Sequence, residues 1–208
     1  MAGYPQRKRE RFTWADMLTW PDDERWEIIG GEAFDMSPPP LSRHQLISMR
    51  LTGALLEFFK GKRCQPYAAP FGVKLSDEDV VQPDLFVICN PKQIKHTHIE
   101  GPPTLVIEIL SESSLRRDRI QKWALYERFG VREYWIVTPH PALIEVYRLR
   151  GGQYQLAGDY GKDDTLRSAT FRGLSIVLAP VFDFPLEPGE ELPVVRESPV
   201  SYGRRRRR

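Results

Sequence analysis

The chain has 208 residues, 41% of them hydrophobic, with a formal net charge of +2. That size and apolar content fit one domain with a real core, and no stretch reaches the ~18–20 apolar residues of a membrane span. Five of the positive charges form the arginine run 204–208; without them the balance is −3, which excludes the bulk basicity of a strong non-specific DNA binder.

Residues 1–11 are basic and polar with no apolar run behind them, unlike a secretory leader. Cys64 and Cys89 lack metal-ligand spacing, and such a pair fits a reducing cytoplasm better than a disulfide scaffold. Thr13-Trp-Ala-Asp16 reads as a capping box, with Asp in place of the usual Glu, before a short helix that Pro21 stops. Strands over 25–29 and 32–36 flank Gly30-Gly31, a two-residue hairpin signal. The prolines at 38–40 break the chain, and Ser42 with Gln45 predicts a second capping box. The helix it opens runs to about residue 60, with Leu51, Leu55, Leu56, Phe58 and Phe59 as its core positions.

Three short strands are expected next, over 64–68, 71–75 and 84–88, with a polar turn at 76–79 and Pro83 before the third. Residues 90–103 read as a loop holding His96 and His98. The stretch 104–110, Thr-Leu-Val-Ile-Glu-Ile-Leu, is almost wholly apolar and fits a strand covered on both faces. A carboxylate there, Glu108, is costly unless a cation or several donors hold it. A helix over about 116–129 follows. Its Lys122 shares a face with Leu125, Tyr126 and Phe129, where a lysine is not expected unless it snorkels outward at an edge. Gly130 ends that helix, and a strand over 133–138 forms a parallel pair with the first.

A hairpin over 144–149 and 153–157 turns at Gly151-Gly152; short strands follow at 165–169 and 175–178, then an irregular tail rich in proline and glutamate. The pattern is α/β or α+β: a mixed β-sheet flanked by two main helices, with additional hairpins.

Asp84 opens a strand 24 residues before Glu108, and in the simplest topology the two belong to adjacent strands. Two carboxylates converging at strand ends suit Mg²⁺, a hard cation that takes oxygen ligands and keeps several waters; the backbone carbonyl of Ile109 would add a third protein oxygen. Lys122 would position or deprotonate the attacking water, or stabilise developing negative charge. The same residues also read as a turn aspartate, a salt-bridged glutamate and an edge lysine. His96 and His98 have no third ligand placed. Ser111, Ser113 and Ser114 form a polar loop without a hydrolase motif. Arg116, Arg117 and Arg119 crowd a helix start, where the macrodipole disfavours cations; a DNA phosphate would rationalise them, as would a solvated charged face. Tyr134, Trp135, Tyr147 and Tyr154 read as core and cross-strand packing.

Gln82-Pro83-Asp84, Val106-Ile107-Glu108-Ile109-Leu110-Ser111, Arg117-Asp118, Lys122 and Gly130-Val131-Arg132-Glu133-Tyr134-Trp135 come in that order. With Trp26-Glu27-Ile28-Ile29-Gly30-Gly31-Glu32 and the step from Pro40 to His44, the order resembles the Uma-type restriction endonuclease family of the PD-(D/E)XK nuclease superfamily. The resemblance covers residues 12–186, leaving a basic extension at 1–11 and a tail at 187–208. It implies a restriction-endonuclease-like fold and a Mg²⁺- or Mn²⁺-dependent endonuclease acting on DNA. Asp84 and Glu108 correspond to the two metal carboxylates. One departure stands out: the strand lysine of the superfamily falls on Ile109-Leu110, and Lys122 on the helix takes its part. Glu32 and His44 match further recurring positions. A homodimer and a cytoplasmic setting are expected, with no membrane partner. The competing readings are a non-catalytic binding or assembly module that kept the fold, and a hydrolase of small phosphoesters.

Overall fold

A computed structural model describes residues 11–21, 23–36, 41–111 and 117–184. Helix α1 (Trp14–Met17) leads into strands β1 (Trp26–Ile29) and β2 (Glu32–Asp35), then helix α2 (Ser42–Phe59). Strands β3 (Gln65–Ala68), β4 (Gly72–Ser76), β5 (Asp79–Val81), β6 (Leu85–Ile88), β7 (His98–Glu100) and β8 (Leu105–Ile109) follow. A π-helical turn, Arg117–Lys122, continues as helix α3 (Trp123–Phe129). Five strands come last: β9 (Glu133–Thr138), β10 (Leu143–Arg150), β11 (Gln153–Gly161), β12 (Thr165–Arg167) and β13 (Ser175–Val177).

Six strands form the central sheet in the order β11-β10-β9-β8-β6-β3. β8 and β9 run parallel, as expected, and every other neighbour pair in this sheet is antiparallel. Alternation along β8 explains its unbroken apolar run. Ile107 and Ile109 pack with Ile47, Leu51, Leu55 and Phe59 of α2. Val106 and Leu110 pack on the other face, against Leu125 and Tyr126 of α3 and Val73, Val81 and Ile99 of a second sheet. That second sheet has the order β2-β1-β5-β4-β7. The central sheet is therefore covered by α2 on one face and by α3 with the second sheet on the other.

Local chemistry accounts for several elements. The Thr13 box forms: the Thr13 amide donates to Asp16 Oδ2 at 2.9 Å, and the Asp16 amide to Thr13 Oγ1 at 3.4 Å. Gly30 and Gly31 sit at φ 58° and 82°, which the tight β1–β2 turn requires of both central residues. The tyrosines and tryptophan read as packing residues do pack: Tyr134 and Trp135 are buried, and Trp123 meets Tyr134, Tyr147 and Tyr154 edge-on.

Other expectations are corrected. Leu41, not Ser42, is the N-cap of α2, so the Ser42 hydroxyl lies one residue past the capping position and the second box does not form. Leu56 is 54% exposed instead of buried, because it lies off the stripe made by Ile47, Leu51, Leu55 and Phe59. The expected turn at 76–79 is narrower, since Asp79 already begins β5. The loop over 90–103 contains a 3₁₀ turn and strand β7, which pairs parallel with β4. β12 and β13 form a sheet of their own. Cys64 and Cys89 form a disulfide. The antiparallel register Gln65↔Ile88 sets the two cysteines opposite each other, which a separation of 25 residues does not show. The argument from cysteines to a reducing compartment falls with it. No helix of the described residues is long and apolar enough to cross a membrane.

Gly130 closes α3 in the left-handed region, φ 79° and ψ 30°, and its amide reaches the carbonyls of Tyr126 and Glu127. A Cβ added there would meet nothing within 4 Å, so the cost of a side chain is purely backbone. Gly130→Ala is expected to lower stability by about 1–2 kcal/mol, read as a shifted urea midpoint at unchanged slope.

Candidate active site

The site grows from the end of the β6–β8 ladder. Leu85 pairs with Ile107, and continuing that register by one residue sets Asp84 across from Glu108. Beyond this point β8 has no β6 partner, and the Ile109 amide donates to Asp84 Oδ2 instead, at 2.8 Å. The same oxygen lies 3.2 Å from Nε2 of His44, in the first turn of α2. Asp84 and His44 retain partial solvent exposure, so this side of the site is reachable.

Glu108 is buried on the α3 side of the sheet. Its Oε1 accepts from Lys122 Nζ at 3.0 Å and from the Tyr126 hydroxyl at 2.6 Å. Lys122, 3% exposed, also stands 2.8 Å from Oε1 of Glu27 on β1. Glu27 is itself fully buried, and it accepts the Gln82 amide at 2.9 Å. An ammonium thus links carboxylates from the two sheets. Lys122 is the last residue of the π-helical turn and the residue before α3. Tyr126 is one α-turn further along the same face, so both donors reach one oxygen.

Burial, then the charges of Glu108 and Glu27, push the Tyr126 hydroxyl well above the usual tyrosine range. It stays a neutral donor at any physiological pH. Glu27, Asp84 and Glu108 bring three negative charges against the single positive charge of Lys122, and with His44 neutral these groups sum to −2. Among the described residues, no three histidine, cysteine, aspartate or glutamate side chains form a metal-holding group.

Two groups result: Asp84 with His44 and the Ile109 amide, and Glu108 with Lys122 and Tyr126, Lys122 reaching on to Glu27; the strand register alone relates the two groups. Glu32 joins neither: it is exposed at the hairpin end, paired with Ile29. Arg119 forms an ion pair with Glu145. Arg116 and the side chain of Arg117 lie outside the described residues, as do Ser113 and Ser114. His98 contacts Thr97 and Glu100 and packs on Trp14, while His96 is exposed. Two members escaped the sequence reading, Glu27 and Tyr126. Glu27 carried a usable signal, a carboxylate in the apolar run Trp26-Glu27-Ile28-Ile29, the same signal that singled out Glu108.

The model of the Uma2 family, described as "Putative restriction endonuclease", matches residues 14–180. The chain belongs to this family. It is also 25% identical over 185 residues to an uncharacterised protein of Synechocystis sp., covering 87% of this chain and 94% of that one. A crystal structure from Anabaena variabilis, described as a putative nuclease belonging to DUF820, superposes with a TM-score of 0.67 at 18% identity. It covers 82% of this chain and 97% of its own. The overall fold is therefore shared with that structure.

Proposed function

We propose that this Uma2 protein is a Mg²⁺-dependent endonuclease that hydrolyses DNA phosphodiester bonds, with Asp84 and Glu108 as the metal carboxylates and Lys122 as the assisting cation. The observation that carries the reading is the register that sets Asp84 across from Glu108 at the end of the β6–β8 ladder, with a lysine from the following helix on Glu108. The donors fit a hard cation: two carboxylates, a backbone carbonyl and a local charge of −2. In a strand, a residue's N–H and C=O point to the same side, so the Ile109 carbonyl faces the Asp84 side, where its amide already bonds. A bound Mg²⁺ supplies neutralisation of phosphate charge and a more acidic water.

The chain's own groups do the rest. His44 and the Ile109 amide fix the Asp84 carboxylate. Tyr126 and Lys122 fix Glu108. The Lys122 ammonium, held on Glu108, would stabilise negative charge as it develops on a phosphate oxygen. Glu27 acts through Lys122 and is a positioning residue. Two chains, each with one site, would cut both strands of a duplex.

The Lys122 bridge also fits a structural ion pair in a non-catalytic assembly module. Calorimetric titration of Mn²⁺ into the wild type and into Asp84→Asn/Glu108→Gln, without and with DNA, separates the two. The nuclease reading expects binding in the wild type that the double variant loses, together with nicking of supercoiled plasmid. No Mn²⁺ binding in either condition, with plasmid intact, would leave the assembly module.

A further inference from the structure

Arg25 stands at the end of β1 nearest to Asp84. The Met36 amide donates to the Arg25 carbonyl at 2.9 Å, which carries the β1–β2 pairing one residue past Trp26. Side chains alternate along a strand. Arg25 therefore shares a face with Glu27, which meets Lys122, and with Ile29, which packs in the cluster holding Leu125 and Tyr126 of α3. The β1–β5 register, Ile28↔Val80, continued along β1, sets Arg25 across from Pro83, the residue before Asp84. Gln82 ties this strand end down: its Nε2 donates to the Trp26 carbonyl at 3.3 Å, and its Oε1 accepts from Arg25 Nη2 at 3.5 Å. That long bond is the contact the guanidinium makes among the described residues, and no carboxylate pairs with it there. Its Nε is buried without an acceptor, although the residue as a whole is only half-buried. Arg50, Arg119 and Arg128, by contrast, reach the Val181 carbonyl, Glu145 and Asp79. A buried donor left unmade is unfavourable, so the fork of Arg25 calls for an acceptor from outside the chain.

We propose that Arg25 anchors a backbone phosphate of DNA, one flanking the phosphate at the Asp84 and Glu108 carboxylates; this rests on the nuclease reading. Charge selects the ligand. Glu27, Asp84 and Glu108 repel a polyanion, Lys122 is held between two of them, and His44 lies on the third. Apart from its arginine run the chain carries −3, so attraction for DNA has to be local. Arg25 supplies it with no counter-charge to displace. A planar guanidinium matches two phosphate oxygens at once, and Nε is one of the donors of that fork. The contact fixes where the strand lies and carries no sequence information.

Fluorescence anisotropy of a labelled DNA duplex, titrated with the full chain across a series of salt concentrations without divalent metal, tests it. Circular dichroism is the folding control. Arg25→Gln should weaken binding roughly tenfold at low salt and make the slope of log K against log salt shallower by about 0.9, the share of one phosphate. Arg25→Lys keeps the charge and loses the fork, so it should hold the wild-type slope at lower affinity. Arg63→Gln removes the same charge from an exposed position beyond β3, at the end of the β3–β6 ladder away from Asp84, and should change neither quantity. A readout on the wild type needs no folded variant of altered charge. The Nε–H resonance of Arg25, assigned as the signal missing from Arg25→Lys, should shift when duplex is added. An Nε–H signal that stays in place under saturating DNA overturns the proposal. So does a folded Arg25→Gln with wild-type affinity and slope, or an equal loss in Arg63→Gln, which would make the effect one of overall charge. These outcomes leave the nuclease reading standing if the wild type binds and nicks DNA. A wild type that neither binds duplex nor nicks plasmid overturns both.

Discussion

Lys122→Met is expected to lower folding stability by about 3–5 kcal/mol, the cost of breaking a buried ion pair from one side. The substitution keeps the volume and the apolar stem, so the loss reports charge rather than a cavity. Lys122 stands 2.8 Å from Glu27 and 3.0 Å from Glu108, and all three side chains are almost fully buried. Removing the ammonium leaves two carboxylates facing each other in a low-dielectric setting, with the Gln82 amide still donating to Glu27 and the Tyr126 hydroxyl to Glu108. Urea denaturation of Lys122→Met measures the cost, and Glu27→Gln/Glu108→Gln in the same background should recover most of it. The recovery is diagnostic, because neutral amides beside methionine carry no repulsion. A loss below about 1 kcal/mol, the range of a solvent-exposed pair, would mean that water reaches the three groups and that Lys122 is not clamped between the sheets.

How far the sequence exposes this arrangement depends on the residue. Glu108 and Lys122 were legible because each violates its surroundings: a carboxylate in a run of β-branched residues, and a lysine on the apolar side of a helix. Their mutual contact explains both violations at once. Asp84 was legible from its place before a strand, since adjacent antiparallel strands bring their ends together. Glu27 falls within the expected strand 25–29 of the hairpin, and the hairpin signal is local. Nothing local shows that β1 belongs to a second sheet stacked on α3, and that stacking is what buries Glu27. The second sheet itself was hidden by strand length. β5 and β7 have three residues each, too few to show a period, and they persist through pairing with β4 and not through propensity. The π-helical turn left a trace only in side-chain phase: Lys122 points inward although Gln121 and Ile120 beside it are exposed. The disulfide depends on strand register, which two isolated cysteines cannot reveal.

The second large effect is on cleavage, and the site predicts a graded series. Asp84→Asn keeps the shape of the side chain and a hydrogen-bond acceptor for the Ile109 amide, yet removes the charge proposed to hold the metal. Plasmid nicking in Mg²⁺ should fall to the protein-free background while the urea midpoint holds. His44→Ala removes one partner of Asp84 Oδ2 and leaves the Ile109 amide on it, and a partner that orients a metal ligand is worth roughly 10–100-fold in affinity or activity. His44→Ala should therefore nick slowly, and raised Mn²⁺ should recover part of its rate. Glu32→Ala, at the exposed end of the β1–β2 hairpin, should nick at the wild-type rate. Glu27→Gln falls between: its amide oxygen still accepts from Gln82 and Lys122, but the ammonium loses one of its two counter-charges. On the proposed positioning role of Glu27 through Lys122, this change should lower kcat and leave KM for DNA unchanged. Equal loss in Glu32→Ala and Asp84→Asn would relocate the chemistry to the hairpin end. A wild-type rate in Asp84→Asn would remove the metal role from this carboxylate and reduce its contact with Ile109 to a strand-end cap.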